Sequence, residues 1–274
     1  MMRKTLSKTT RMCMSLSARP GNFGTRFHNF LYDALELDYV YKAFATTDLP
    51  AAIGGIRALG IRGCAISMPF KEAVIPLLDA LDPSAGVLQS VNTIVNDDGF
   101  LRGHNTDYLA VRRLLDAHQV PKNLRVAVRG SGGMAKAVTC ALRDAGLTTG
   151  TVVARNEATG RALATAHGYG WQPDTAGLSA DLLVNVTPIG MAGGEEAGDL
   201  AYSLALVDGA QLVFDVVAVP AETPLIVAAR AAGKPVITGR DVIALQALEQ
   251  FVLYTGVRPD PDLVADAAAF AADG

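Results

Sequence analysis

The chain has 274 residues, half of them hydrophobic and 19% charged, with a net charge of −3. This balance is typical of a folded protein and gives no positive field that would attract nucleic acid. No apolar run approaches the roughly 18 residues that a membrane span needs. Three cysteines at unrelated spacings indicate neither a disulfide framework nor a metal site. Residues 1–10 are positive without an apolar stretch behind them, so we expect no signal peptide and a cytoplasmic location.

Short apolar runs alternate with amphipathic stretches in the first third of the chain. Strands are predicted at residues 11–16, 39–44, 63–67 and 91–95, and helices at 25–35, 49–59 and 72–81. The turn Asp97-Asp98-Gly99 predicts a hairpin between the fourth strand and residues 100–102. Strands that alternate with helices predict a mostly parallel sheet covered on both faces.

A second alternating series follows a helix predicted at 108–118. Its strands are predicted at residues 124–128, 151–154, 182–186, 212–217 and 235–238. Right-handed crossovers should wind them into a doubly wound sheet. The tail is predicted to be helical and to pack back on the first unit. The predicted fold class is therefore α/β with two domains, formed by residues 1–106 plus 240–274 and by residues 107–239.

A glycine-rich turn follows the first strand of the second series. Gly130-Ser131-Gly132-Gly133-Met134-Ala135 matches the dinucleotide fingerprint, with Ala in the third small position. The first glycine permits a tight turn, the second admits the pyrophosphate, and the third small residue lets helix and strand pack closely. Free N–H groups at the helix start would bind phosphate. We expect a Rossmann-type cofactor domain; the alternative is a plain strand–helix turn.

The end of the next strand bears on the choice between NAD and NADP. Residues 153–156 place no carboxylate where one would accept a hydrogen bond from the ribose 2′-hydroxyl of NAD. Arg155, beside Asn156, offers a charged planar fork to a 2′-phosphate, and Arg161 follows in the next helix. Glu157 would oppose a phosphate. NADP is the predicted cofactor, and NAD is the alternative.

Polar clusters follow the predicted strands of the first domain. They are Ser15-Leu16-Ser17, Ser67 to Lys71, Asn92-Thr93 and Asn105-Thr106-Asp107. Ligands collect at the carboxyl ends of strands in open α/β sheets, so these groups are predicted to line one cleft. Short hydroxyls and amides with one ammonium and one carboxylate suit a polyhydroxylated ring acid.

Together the motifs resemble the shikimate dehydrogenase family over residues 15–246. The similar blocks are the two serines of the first strand, residues 65–71, Val91-Asn92-Thr93, Asn105-Thr106-Asp107, residues 185–191 and Gln246-Ala247. The resemblance implies reversible reduction of 3-dehydroshikimate to shikimate, on the route to chorismate and the aromatic amino acids. The first domain would then bind the substrate and the second the cofactor.

The resemblance also implies the roles of individual residues. Lys71 and Asp107 would form the catalytic pair, with the ammonium donating a proton to the developing alkoxide. Substrate contacts would come from Ser15, Ser17, Ser67, Asn92 and Gln246, and further cofactor contacts from Thr187 and Gly239. Hydride chemistry needs no metal, and none is expected. The bland alternatives are a solvated Lys71, an N-capping role for Asp107 and ordinary strand-end hydroxyls at the serines.

Three departures from the family pattern indicate a divergent member. Residues 18–27 intervene before His28-Asn29, Ala218 stands where the family has Tyr, and Ala65 and Ser67 replace Asn and Thr. We expect a low-activity paralogue that acts on shikimate or a related ring acid, as a monomer or homodimer. The alternatives are a quinate or aminoshikimate dehydrogenase and, in another class, a nucleotide- or metabolite-binding sensor with vestigial catalysis.

Overall fold

The computed structural model describes residues 5–272, which divide into two compact units. One unit comprises the described residues up to Thr106 together with those from Gln246 onward, and the other is Asp107–Leu245. The domain boundaries predicted from sequence are 106/107 and 239/240. Residues 1–4 and 273–274 of the predicted first domain, and with them the start of the segment considered for a signal peptide, lie outside the described residues.

The first unit is built on a six-stranded sheet. Its strands are β1 (Arg11–Ser17), β2 (Tyr39–Ala45), β3 (Gly63–Ile66), β4 (Ala80–Leu81), β5 (Thr93–Asp97) and β6 (Phe100–His104). They lie in the order β2-β1-β3-β5-β6-β4, and β5 is antiparallel to both of its neighbours. The predicted hairpin joins β5 and β6, with Asp98 and Gly99 at φ 52° and 92°. The other three strand pairs are parallel, so the predicted mainly parallel sheet is confirmed.

The helices correct one prediction. They are α1 (Phe23–Ala34), α2 (Leu49–Ala58), α3 (Phe70–Ala73), α4 (Pro83–Gly86), α5 (Thr106–Ala117), α6 (Gly133–Asp144), α7 (Glu157–His167), α8 (Leu204–Gly209), α9 (Pro224–Ala231), α10 (Gly239–Thr255) and α11 (Pro261–Ala272). The helix predicted at 72–81 is wrong, because α3 ends at Ala73 and a 3₁₀ turn follows at Ile75–Leu77. Pro76 has no N–H to continue an α-helix, and β4 pairs with β6 instead.

The sheet of the first unit has a core on each face. On β1, Cys13 and Leu16 are buried, and successive side chains of a strand point to opposite faces. Met14 and Leu16 pack in the same cluster as Ile53 and Ile56 of α2. The helical tail packs on the rest of this unit, where Arg26 of α1 donates hydrogen bonds of 2.6 and 3.0 Å to the Phe270 carbonyl of α11. The guanidinium also lies 4.2 Å from the Phe270 ring centroid.

The second unit has a wholly parallel sheet of six strands. They are β7 (Val126–Arg129), β8 (Gly150–Val153), β9 (Gly170–Gln172), β10 (Leu182–Asn185), β11 (Leu212–Asp215) and β12 (Val236–Ile237). Their order is β12-β11-β10-β7-β8-β9. This is a doubly wound order of the Rossmann type, whose topological switch point lies between β7 and β10. Of the six strands of this sheet, the short β9 is the one that the sequence did not predict.

Buried clusters cover both faces of the second sheet. Val126 and Val184 pack on one face, whereas Ala127 and Leu183 pack in a separate cluster with Tyr202. Burial on both faces explains why these strands are continuous apolar runs rather than alternating ones. Within residues 5–272, no helix combines the length and apolar character needed to cross a membrane. The same residues contain no group of three or more His, Cys, Asp or Glu that could hold a metal ion.

Replacing Gly63 with Ala tests the packing of the first sheet. A Cβ at this position would lie 2.2 Å from the Tyr254 ring, which is fully buried and cannot move without repacking its neighbours. We expect the free energy of unfolding to fall by about 1–3 kcal/mol, measured by urea denaturation. Gly54→Ala is the matched control, because the added Cβ there meets open space on a helix. Equal losses in the two variants would contradict this account of the packing.

Candidate functional site

The glycine-rich turn joins β7 to α6 at the switch point of the second sheet. Gly130 has φ +122°, and a Cβ on it would lie 2.9 Å from the side chain of Val186. Only glycine therefore fits there without strain. A Cβ on Gly132, by contrast, would have no atom within 4 Å. The open space beside Gly132 leaves its backbone accessible at the start of α6, where unpaired N–H groups favour an anion.

A cavity of about 430 Å³ lies against this turn, entirely within the second unit. The ends of β7, β8, β9 and β10 contribute its lining: Arg129, Gly130, Ser131, Gly132, Val153, Ala154, Arg155, Asn156, Pro173, Asp174, Val186, Thr187, Pro188 and Ile189. The lining includes six of the predicted cofactor contacts. It also adds Arg129 and Asp174, which sequence analysis missed because neither belongs to a motif.

The remaining predicted cofactor residues lie elsewhere. Gly133, Met134 and Ala135 form the first turn of α6, and Ala135 is fully buried. Arg161 is engaged away from the lining, because its Nε is 2.7 Å from Glu157 Oε1 and its guanidinium is 4.2 Å from the Trp171 ring centroid. Gly239 has a packing role, since a Cβ there would lie 2.3 Å from the Val217 carbonyl. Their contacts with a cofactor stay predictions.

The end of β8 is fixed to the glycine turn by short hydrogen bonds. The Asn156 side chain accepts one of 3.0 Å from the Thr159 N–H and so caps α7. The Thr159 hydroxyl is 2.7 Å from that of Ser131. Arg155 is 86% exposed, and its Nη1 lies 3.8 Å from Glu196 Oε1. A guanidinium, two hydroxyls and a helix start form a donor set that fits a phosphate group.

A buried carboxylate holds the strand ends behind the cavity. Asp215 accepts hydrogen bonds from the Asn185 side chain (3.0 Å), the Val217 N–H (3.0 Å) and the Thr223 hydroxyl (2.7 Å). The side-chain oxygen of Asn185 in turn accepts from the Thr187 hydroxyl at 2.6 Å. Burial raises the pKa of Asp215, and these three donors oppose the rise. Because Thr187 lines the cavity, the network fixes one wall of it.

Three of the predicted substrate residues, all serines, lie at the carboxyl ends of strands of the first sheet. Ser15 and Ser17 occupy the last three positions of β1 together with Leu16, and Ser15 is in register with Ala65 of β3. Ser67 follows β3 directly, and its N–H donates a 3.0 Å hydrogen bond to the Leu16 carbonyl. The pairing of β1 with β3 therefore brings the backbones of these three serines close together.

Lys71 belongs to the same cluster of segments. It lies in α3 and is partly buried. Its carbonyl accepts a 2.8 Å hydrogen bond from the Val91 N–H, which places Lys71 beside the residue that precedes Asn92. The Asn92 carbonyl accepts from the Ile66 N–H at 2.8 Å. Two backbone bonds thus connect the lysine segment, the end of β3 and the Asn-Thr motif.

The Asn92 side chain is a buried junction with one donor left over. Its carbonyl oxygen accepts hydrogen bonds from the Thr106 N–H (2.7 Å), the Thr106 hydroxyl (3.1 Å) and the Thr93 hydroxyl (2.9 Å). Its Nδ2 is buried and has no hydrogen-bond partner among residues 5–272. A buried amide without a partner is costly, so Asn92 Nδ2 needs a partner such as an ordered water or a ligand.

Asp107 follows Thr106 directly in the chain. It is the second residue of α5, so it lies inside the first helical turn. The helix begins one residue earlier, and Asn105 is the residue before it, which is where an N-cap would stand. A carboxylate in this turn is favoured by the helix dipole, so Asp107 stabilises the start of α5.

A second glutamine of α10 reaches this network. Gln246 is partly buried, and Gln250, one helical turn later, is buried. Gln250 Nε2 donates a 3.1 Å hydrogen bond to the Thr93 hydroxyl. Sequence analysis selected Gln246 alone. The spacing of four residues was the available signal, because it places both amides on one face of the helix.

His28 lies in an aromatic core of the first unit. Its ring stacks on Tyr41 with centroids 4.4 Å apart, and it is fully buried. Neither ring nitrogen makes a hydrogen bond within the described part of the chain. Burial lowers the pKa of His28 to about 3, and the nearby Gln250 side chain opposes this only in part. Such a ring stays neutral at physiological pH and serves packing.

The fold and the cavity define a two-unit α/β protein with a dinucleotide-type second unit, and comparisons with known proteins identify the family. A model of the shikimate dehydrogenase substrate binding domain matches residues 23–94. The shikimate dehydrogenase-like protein of Haemophilus influenzae is 56% identical over 266 residues, covering 97% of this chain and 98% of that protein. The chain therefore belongs to the shikimate dehydrogenase family, which confirms the resemblance found in the sequence and supports an oxidoreductase.

Two solved structures show what relatives bind. Shikimate 5-dehydrogenase from Thermus thermophilus, in complex with NADP(H) and shikimate, is 32% identical with a TM-score of 0.85; the match covers 95% of this chain and 99% of that one. Quinate dehydrogenase from Corynebacterium glutamicum, in complex with NAD, is 28% identical with a TM-score of 0.88, covering 97% and 99%. Proteins of this fold thus differ in both ring acid and cofactor.

The neutral, buried state of His28 predicts a pH dependence of stability. Between pH 6.5 and about 3 the unfolded chain binds a proton at His28 that the folded chain does not bind. The free energy of unfolding must therefore fall as the pH drops through this window. We expect His28→Phe to remove about 2–3 kcal/mol of that fall between pH 7 and pH 4.5.

Urea denaturation at a series of pH values measures this effect. His118→Phe is the control, because His118 is exposed on the second unit, and it should leave the pH dependence unchanged. Parallel curves for the wild type and His28→Phe would show that His28 takes up its proton in the folded state.

Proposed function

We propose that the chain catalyses reversible, NADP-dependent hydride transfer between shikimate, or a closely related ring hydroxy acid, and its 3-dehydro form. The observation that carries this proposal is the hydrogen bond from the Val91 N–H to the Lys71 carbonyl at 2.8 Å. It sets the candidate proton donor beside Asn92, whose buried Nδ2 has no hydrogen-bond partner among residues 5–272. Membership of the shikimate dehydrogenase family supports the reaction class.

The chemistry divides between the cofactor and the chain. A bound nicotinamide dinucleotide supplies the hydride. Lys71 Nζ donates a proton to the ketone oxygen during reduction and accepts it back during oxidation, and the ammonium stabilises the developing alkoxide. Asp107, the second residue of the proposed pair, accepts a hydrogen bond from a ring hydroxyl. Thr106, the residue before Asp107, is held by Asn92 in the unit that contains Lys71.

Recognition of the ring acid falls to polar groups of the first unit. The hydroxyls of Ser15, Ser17 and Ser67 bind the carboxylate and the ring oxygens, and Asn92 Nδ2 donates to a ring hydroxyl. Gln246 contributes its amide from α10. Loss of any buried partner of this kind weakens both the ground state and the transition state.

The proposed cofactor site is the 430 Å³ cavity of the second unit. Gly130 to Gly132 would hold the pyrophosphate, because a Cβ on Gly132 would enter open space. Arg155, Asn156 and the Ser131 hydroxyl would hold the 2′-phosphate, and Thr187 also lines the cavity. Gly133, Met134 and Ala135 shape the first turn of α6, and Arg161 and Gly239 complete the proposed set. The Thermus thermophilus relative, solved with NADP(H), supports NADP.

The departures from the family pattern support a low-activity paralogue. Ala218 leaves the segment after β11 without a phenol, and residues 18–27 lengthen the connection between Ser17 and His28. Quinate is the second candidate substrate, favoured by the structural likeness to a quinate dehydrogenase with a TM-score of 0.88. An aminoshikimate dehydrogenase remains a same-class alternative, and a metabolite-binding sensor is the alternative of another class.

Steady-state assays with shikimate, quinate and an amino analogue, each with NADP and with NAD, test the proposal. We expect slow oxidation of at least one ring acid and faster turnover with NADP. Tight ligand binding without any reduced nicotinamide would favour the sensor. Faster turnover with NAD throughout would overturn the choice of cofactor.

Replacing Lys71 with Ala tests the catalytic assignment. Loss of a positioned general acid typically costs about 100- to 10,000-fold in rate, so we expect kcat to fall by this factor. NADP binding, measured by calorimetry, should be retained because the cofactor cavity belongs to the other unit. Lys8→Ala removes an exposed lysine of the first unit and should leave kcat unchanged. Turnover that survives in the Lys71 variant would show that this lysine is not the proton donor.

A further inference from the structure

Resting on the proposed function, we propose that Glu196 is a specificity-determining residue that weakens the preference for NADP over NAD. It acts through the charge that it places beside Arg155, the residue proposed to bind the 2′-phosphate. Glu196 belongs to no motif, and it lies about 40 residues from Arg155 along the chain.

The backbone holds Glu196 firmly in place. Its carbonyl accepts hydrogen bonds from the Gly190 N–H at 2.9 Å and the Asp199 N–H at 3.1 Å. Gly190 adopts φ +87°, and a Cβ added to it would lie 3.3 Å from side-chain atoms of Pro224 and Thr223. The segment after β10 therefore turns back so that Glu196 is bonded to Gly190. The turn brings Glu196 close to Arg155, which follows β8.

The Glu196 carboxylate lies beside the Arg155 guanidinium at the cavity. Glu196 Oε1 lies 3.8 Å from Arg155 Nη1, and Arg155 is part of the cavity lining. Glu157, the acid expected from the sequence to oppose a phosphate, instead forms an ion pair with Arg161 at 2.7 Å. Glu196 is thus the carboxylate paired with Arg155, where it opposes a phosphate, and no spacing in the sequence indicates this pairing.

The two cofactors respond differently to this carboxylate. A phosphomonoester carries about −1.5 to −2 charges at pH 7, so the 2′-phosphate of NADP is repelled by Glu196 and must compete with it for Arg155. NAD has a hydroxyl at that position, which can donate a hydrogen bond to a carboxylate. Glu196 therefore lowers NADP affinity and leaves NAD affinity equal or slightly raised.

Glu196→Gln tests this role by direct binding, without any ring acid. Titration of NADP and of NAD is followed by calorimetry and by the fluorescence of Trp171, the single tryptophan, whose Nε1 donates to the Ala154 carbonyl at 3.2 Å in the cavity lining. We expect NADP to bind about five- to tenfold more tightly to the variant at low salt. NAD should bind equally or more weakly, and the NADP gain should shrink as salt screens the charge.

Glu195→Gln is the matched control, because it removes the same charge from the adjacent, exposed position. It should change the ratio of the two affinities by less than about twofold at ordinary ionic strength. Equal effects of the two variants, or a parallel change in the NADP and NAD affinities, would overturn the role of Glu196 and leave the proposed function standing. A wild-type chain that binds neither cofactor would overturn the proposed function and this inference with it.

Discussion

The side chain of Asn92 is the contact on which the candidate site of the first unit depends. Its oxygen accepts three hydrogen bonds from Thr93 and Thr106, while its backbone bonds to the end of β3 and to His104 of β6. One buried residue thereby fixes the strand that Ser67 follows and the residue that precedes Asp107. The backbone bond at the neighbouring Val91 adds the segment of Lys71. Without this junction, the polar segments would share a sheet edge but no fixed spacing.

The second unit solves a different problem, which is how to leave backbone N–H groups open to an anion. The doubly wound order separates the connections of β7 and β10, so a crevice forms at the switch point. Gly130 permits the turn, and Gly132 keeps the space beside α6 clear. The buried Asp215 of β11 is then bound to β10 through Asn185 and to the start of α9 through Thr223. A rigid wall with an open glycine face suits a ligand held through its phosphates.

Local patterns allowed much of the fold to be predicted from sequence. Apolar runs bounded by turn residues gave most of the strands, and the Asp-Asp-Gly turn gave the hairpin, because both signals depend on neighbouring residues. The helix predicted at 72–81 failed because Pro76 cannot donate to an α-helical bond and β4 found a partner in β6. The strand β9 was missed because three residues carry too little periodicity.

The candidate site was predictable where a motif contains it and unpredictable where partners come from distant segments. The glycine turn, Lys71 and Asn92 belong to blocks that are legible in the sequence. Gln250 donates a hydrogen bond to Thr93, which is more than 150 positions away in the sequence. Glu196 pairs with Arg155, and two strands, β9 and β10, lie between them along the chain. Arg161 illustrates the reverse case, because its charge is matched by Glu157 within its own helix. Spacing shows which residues are available, whereas packing decides their partners.

Transfer of an isotope label tests the central claim most directly. The chain would be incubated with NADP and with shikimate or quinate that carries deuterium on the ring carbon to be oxidised, and the reduced nicotinamide would be analysed by mass spectrometry and NMR. The account predicts one deuterium atom at C4 of the nicotinamide ring, delivered to a single face. Reduced cofactor without the label, or ring acid recovered unchanged after many hours with either cofactor, would contradict it.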